Sequence, residues 1–142
     1  LRAVRWALAF VFAAATSGAA LAEGAKIGVI MSMTGALQAY GQTSLNGIRL
    51  AVDEINAQGG VLGGKLEIVV GDDQTVPQSG VEAAQKLISV DKVSGIIGAL
   101  SSGVTIPIAR SVTSVAGVAQ ISNASTSPVI TATWPCSHAC IR

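Results

Sequence analysis

VSGIIGALSSGVTIPIA (93–109) is the stretch whose reading decides the architecture of this chain. Its first half is an apolar run through Val93, Ile96, Ile97, Ala99 and Leu100 that stops at Ser101-Ser102-Gly103, and its second half resumes with helical spacing as far as Val115. A short apolar run bounded by polar turn residues is the pattern of a buried strand leading straight into a helix, here with the serines at the N-cap. A helix start has amide donors without intrahelical partners and a partial positive charge, and neighbouring hydroxyls add more donors. The junction therefore suits a carboxylate or another small anion, with Ser101 and Ser102 as the residues that would hold it. An ordinary serine cap reads the same way, so the surrounding chain has to decide between the two.

Upstream, Lys26 to Met33 is another near-continuous apolar run, as expected of a parallel strand covered on both faces. A polar loop from Thr34 to Gly41, with Tyr40 as its one aromatic, leads to a stripe of Leu45, Ile48, Ala51, Val52 and Ile55. That spacing predicts an amphipathic helix, ended at Gly59-Gly60 by residues free to turn left-handed. Arg49 and Asp53, one turn apart, read as a solvated surface pair. The glycine-rich turn 59–64 follows a helix and precedes a strand, the reverse of the order that phosphate binding needs. Leu66 to Val70 reads as the second strand, ended by Asp72-Asp73. Neighbouring carboxylates usually point apart, so these two read as loop or capping groups. Pro77 opens a helix with Val81, Ala84, Leu87 and Ile88 inward.

Downstream of the central stretch, Ile108 and Val112 mark the inner face of the helix that starts at Ser102, with Pro107 close to that start, where a missing amide costs least. A fourth short strand follows at Val118 to Ile121, then the loop 122–128, with Pro128 opening a short helix. Strands alternating with helices over short connections predict an α/β fold, a three-layer sandwich with a mostly parallel sheet and right-handed crossovers. Ligands of such sheets bind beyond the carboxyl ends of the strands, where adjacent strands send their helices to opposite faces. Three loops are thereby selected: 32–40, 98–103 and 122–127. Together they would form an uncharged pocket of hydroxyls and amides with Tyr40 as one wall, better suited to holding a zwitterion than to breaking bonds.

Catalytic equipment is sparse. His138, near the C-terminus, is the single histidine, no G-x-S-x-G elbow is present, and no metal-ligand set occurs in the globular part. Cys136, His138 and Cys140 lack the paired C-x-x-C spacing of structural zinc, and a local disulfide or two free thiols is the simpler expectation. No cofactor is expected. At the other end, Arg2 and Arg5 precede the apolar run Trp6 to Ala15, and Ala20-Leu21-Ala22 has the form of a cleavage site. Residues 1–22 therefore read as a secretory signal cut before Glu23. Without it, seven basic residues face eight acidic ones, a balance that gives nucleic acid or anionic lipid nothing to bind.

Residues 26–88, 93–109 and 118–128 carry a more specific pattern: Thr34-Gly35 with Tyr40-Gly41, then Asn56-Ala57-Gln58-Gly59-Gly60, Asp72-Asp73, and Ala124 to Pro128, in that order. From Lys26 to about Thr131 the chain resembles the N-terminal lobe of periplasmic binding proteins of the leucine/isoleucine/valine-binding type, the type I substrate-binding proteins of ABC importers. The resemblance implies one lobe of a two-lobed fold (23–131), a periplasmic location and no enzymatic step. It implies an amino acid or amide as ligand and, for a full-length form, an ABC permease in the inner membrane as partner. It puts Ser101 and Ser102 on the first ligand loop. Ala124, Ser125 and Thr126 fall on the second, Ala124 acting through its backbone and Thr126 through its hydroxyl and amide, and Tyr40 lines the mouth.

Three departures stand out. Thr75 and Ser101 occupy positions where some relatives join two cysteines. Val76 precedes Pro77 where relatives often have an Asp cap, an absence expected to cost about 1 kcal/mol if nothing compensates. Residues 132–142, with Trp134 to Arg142, do not continue toward a second lobe in the family's manner and read as a frameshifted or truncated end. Two rival readings come from other classes: an exported hydrolase with Ser102 as nucleophile, and an interaction fragment whose incomplete lobe leaves an apolar face uncovered. Sequencing the gene past codon 142 is expected to show the second lobe in another frame. A stop codon followed by nothing lobe-like contradicts that expectation.

Overall fold

The computed structural model describes residues 24–132. The signal segment, the tail with Cys136, His138 and Cys140, and the cleavage site lie outside these residues. Four strands form the sheet: β1 (Lys26–Met31), β2 (Glu67–Asp72), β3 (Gly95–Gly98) and β4 (Ala119–Ile121). They lie in the order β2-β1-β3-β4, and every pairing is parallel. Between them run α1 (Gln38–Ala57), α2 (Pro77–Ser89) and α3 (Ser102–Ile108), the last continuing through a π-helical turn at Ala109–Thr113 into α4 (Ser114–Ala116). A further short helix, α5 (Val129–Ala132), follows Pro128. Among the described residues no helix is long and apolar enough to cross a membrane.

Strand order fixes where the helices go. From β1 the chain steps outward to β2, then returns past β1 to β3 and on to β4, so right-handed crossovers place α1 on one face and α2 with α3 on the other. The two cores follow this division. Ile30, Ala84, Leu87, Val93, Ile96, Val104, Ile108 and Val112 pack under α2 and α3, whereas Val29, Met31, Leu45 and Leu100 pack under α1. Even in a parallel sheet, the β1 side chains alternate between these cores, Ile30 into the first and Val29 and Met31 into the second. The α1 layer is thin: Leu45 is buried, but Ile48, Val52 and Ile55 are only half-buried, and Ile121 at the sheet edge is 37% exposed.

Local chemistry sets the element ends. After α1, Gly59 and Gly60 take positive φ values of 106° and 77°, as the glycine pair predicts. The Asn56 side chain then pins the returning chain, donating to the Leu66 carbonyl at 2.9 Å and accepting from the Leu66 amide at 2.7 Å. Four details differ from the sequence reading. Helix α1 begins at Gln38, so Tyr40 and Gly41 belong to its first turn and not to a loop. Arg49 and Asp53 are both exposed and no ion pair joins them. Ser101 occupies the N-cap of α3, yet no side-chain cap bond is made there.

Pro107, finally, is the sixth residue of α3, not one of the first few, and the π-helical turn starts two residues later. It has no amide to offer the Gly103 carbonyl, and its ring crowds that carbonyl, so the turn widens as it passes. Val76 has the extended backbone of an N-cap (φ −115°, ψ 126°) and no side-chain cap, and among the described residues no side chain substitutes for the missing acceptor. Replacing it with Asp supplies a carboxylate to the free amides of Gln78 or Ser79. Val76→Asp is expected to stabilise the chain by about 1 kcal/mol, read as a raised urea midpoint with unchanged slope.

Candidate functional site

Because the sheet is wholly parallel, β1, β3 and β4 end on the same side, and the point where the helices part to opposite faces lies between β1 and β3. The loop after β1 is held from behind by the loop after β2. Asp72 accepts hydrogen bonds from the Met33 and Thr34 amides at 2.9 and 3.2 Å and from the Thr34 hydroxyl at 2.7 Å. Burial alone would raise the pKa of Asp72. Hydrogen bonds from the Thr34 hydroxyl and the Gln74, Thr34 and Met33 amides outweigh it and hold the carboxyl below its ordinary range. Asp73 points the other way and is fully buried, accepting from the Ser32 hydroxyl at 2.6 Å and the Thr75 amide at 2.8 Å. The two carboxylates therefore have the loop-fixing role expected of them.

Two glycines of the Thr34-to-Gly41 pattern have a steric reason. Gly35 has φ +83°, and a Cβ there would run into the Gln74 carbonyl. Gly41 brings the first turn of α1 against the end of β1, where a Cβ would collide with the Ser32 carbonyl.

The loops after β3 and β4 are tied together through backbone carbonyls. Ala99, which follows β3 and is fully buried, presents its oxygen to the hydroxyls of Ser122 (2.8 Å), Thr105 (3.0 Å) and Ser125 (3.2 Å). A carbonyl has two lone pairs and each hydroxyl one hydrogen. The consistent arrangement has Ser122 and Thr105 donating to Ala99 while Ser125 donates to Thr105, the shortest of its contacts at 2.7 Å. Ser122 in turn accepts the Ser125 amide at 3.1 Å. Deeper in, the Gln120 side chain donates to the Gly98 carbonyl at 2.8 Å and accepts from the Thr113 hydroxyl at 2.9 Å.

Above this knot, Ser102 Oγ accepts hydrogen bonds from the Thr126 and Ser127 amides, both at 3.1 Å. The residues selected from the sequence thus divide. Ser101, Ser102, Ala124 and Thr126 lie on two loops in direct contact, and the Ser101 hydroxyl makes no hydrogen bond within the described residues. The Ser125 hydroxyl is turned inward to the knot. The Thr126 amide donates to Ser102. Tyr40 is 68% exposed in the first turn of α1, one turn before Ser44 on the same stripe, and Ser44 accepts from the Asn123 side chain at 3.3 Å. That contact brings the Tyr40 edge of α1 to the loop after β4.

Sequence reasoning did not single out Thr105, Thr113, Gln120 or Ser122. The available signal was polar residues on stretches that must be buried, Thr105 beside Val104 and Gln120 inside a strand, since a buried polar group needs a partner. Around Ser102 there is no imidazole or carboxylate among its hydrogen-bond partners. Among the described residues no three His, Cys, Asp or Glu side chains cluster as metal ligands.

Comparison with known proteins agrees with this fold. The sequence profile of the family described as periplasmic binding protein matches residues 24–141. The chain is 39% identical over 125 residues to the Leu/Ile/Val-binding protein of Escherichia coli K12, covering 88% of this chain and 34% of that one. Among solved structures it is similar to the branched-chain amino acid transporter substrate-binding protein LivJ of Streptococcus pneumoniae in complex with isoleucine. There the TM-score is 0.74 at 34% identity, over 78% of this chain and 32% of that one. It is also similar to a solute-binding protein of an ABC transporter from Rhodopseudomonas palustris BisB5 in complex with 3,4-dihydroxybenzoic acid (TM-score 0.72, 29% identity, 82% of this chain and 31% of that one). The chain spans about a third of the length of these proteins. With the fold, the loop pattern and the profile in agreement, the chain belongs to the periplasmic binding proteins.

Proposed function

We propose that the chain supplies the lobe that grips the polar head of a small carboxylate, a branched-chain amino acid first, in the periplasmic solute-binding component of an ABC importer. The observation behind this reading is the contact of Ser102 with Thr126 and Ser127, which joins the two loops beyond the switch point into one surface. On that surface the Ser101, Ser102 and Thr126 hydroxyls are the donors for a carboxylate, and the backbone carbonyls around Ala124 are the acceptors for an ammonium. Tyr40, exposed on the adjoining edge of α1, would lie along the ligand's body. The relatives support the class of ligand. One is named for leucine, isoleucine and valine, one holds isoleucine and one holds a dihydroxybenzoic acid, bodies that differ while each bears a carboxylate.

Export through the leader, with residues 1–22 removed, and delivery to a permease in the inner membrane complete the role for a full-length form. No bond is made or broken. The hydrolase alternative needs a base beside Ser102, where two amides stand instead. Transport by such proteins depends on two lobes closing over the ligand, a hinge motion biased by contacts on both sides. One lobe supplies only part of those contacts, so the affinity expected of this chain alone is no tighter than about millimolar, some 4 kcal/mol.

Nuclear magnetic resonance titration with leucine, isoleucine and valine reads both parts of the proposal. Amide shifts are expected at Ser101, Ser102, Ala124 and Thr126 with a Kd of about 1 mM or weaker. Isopentylamine, which has the amine without the carboxylate, is expected to leave them in place. Shifts confined to other parts of the sheet contradict the site, and micromolar affinity contradicts the dependence on a second lobe.

A further inference from the structure

The hydroxyl oxygen of Ser102 is used up before any ligand arrives. It accepts the Thr126 amide and the Ser127 amide, each at 3.1 Å, so both of its lone pairs are committed to the loop after β4 and only its single hydrogen remains. The same loop is fastened from inside by the Ser125 amide on Ser122 Oγ and the Ser125 hydroxyl on Thr105, and neither bond involves Ser102. Thr126 is exposed, and the backbone of a loop stays in place only where its amides have partners. We propose that Ser102 is a positioning residue for the Ser122–Ser127 loop. It holds the Thr126 and Ser127 amides in place in the empty protein, apart from any contact of its own with a bound molecule.

Two consequences follow for recognition. The Thr126 amide is occupied while the clamp is made, so a ligand that takes this amide has to displace Ser102 from it. Ser102 meets one only as a donor, so the atom beside it must be an acceptor.

Hydrogen exchange followed residue by residue on the chain without ligand tests this, and it does so independently of whether any amino acid binds. Ser102→Ala is expected to speed exchange at Thr126 and Ser127 by about fivefold, the effect of one typical hydrogen bond, while Ser125 and the β1 amides keep their rates. Ser102→Thr restores an oxygen at the same place and is expected to return both amides to nearly the original rates. Unchanged exchange at Thr126 and Ser127 in Ser102→Ala overturns the proposal. So does acceleration that includes Ser125 and β1 equally, which marks a general loosening. Free-peptide rates at those two amides in the unsubstituted chain overturn it without any substitution.

Discussion

A buried backbone oxygen, that of Ala99, is the point on which this arrangement depends. It lies just past the end of β3, where the ladder of the sheet no longer provides partners, and a buried carbonyl without one is costly. Here the partners come from two different elements, Thr105 in the helix that follows and Ser122 in the loop beyond the neighbouring strand. Satisfying one oxygen therefore also joins two segments that lie on either side of β4 in the chain, a joint that the Ser102 contacts with Thr126 and Ser127 reinforce. Gln120, bonded to the Gly98 carbonyl and to Thr113, repeats the device one residue earlier. Such networks are favourable only when every member is satisfied, and at Ala99, Gly98, Thr105, Thr113, Gln120 and Ser122 each is.

Strand order gives that local joint its place at the candidate site. β1 and β3 are adjacent and their helices leave on opposite faces, so the joined loops lie beyond the switch point, where ligands of such sheets bind. The segment after β1, on the same side of the sheet, is held by Asp72 and Asp73 and carried into the first turn of α1 by Gly41. None of the groups that Ser101, Ser102 and Thr126 present bears a formal charge. Recognition would then rest on aimed hydroxyls and amides, a chemistry fitted to binding and release.

Much of this was legible in the sequence. Apolar runs at Lys26 to Met33, Leu66 to Val70 and Ile96 to Leu100 mark strands, most clearly the first and third, which lie inside the sheet, and the three loops follow from the alternation of elements. The loop-fixing role of Asp72 and Asp73, with different partners for each, followed from their adjacency at a strand end. What escaped was set by tertiary contact. The start of α1 has no capping side chain, and Leu37 sits where a cap would be, so nothing local marked Gln38 as its first residue. The serines beside α3 looked like caps, but Ser102 has the loop of the next strand as its partner, and that partner lies 24 residues away in sequence. Thr105 and Gln120 are polar residues whose meaning depends on which carbonyl ends up beside them.

The most direct test of the joint at Ala99 is a double-mutant cycle on Thr105→Val and Ser125→Ala, followed by urea unfolding. If the two hydroxyls act as one chain of hydrogen bonds onto that oxygen, their losses are non-additive, with a coupling energy of about 1 kcal/mol. Strictly additive losses would mean that the loops are held independently, which contradicts the account.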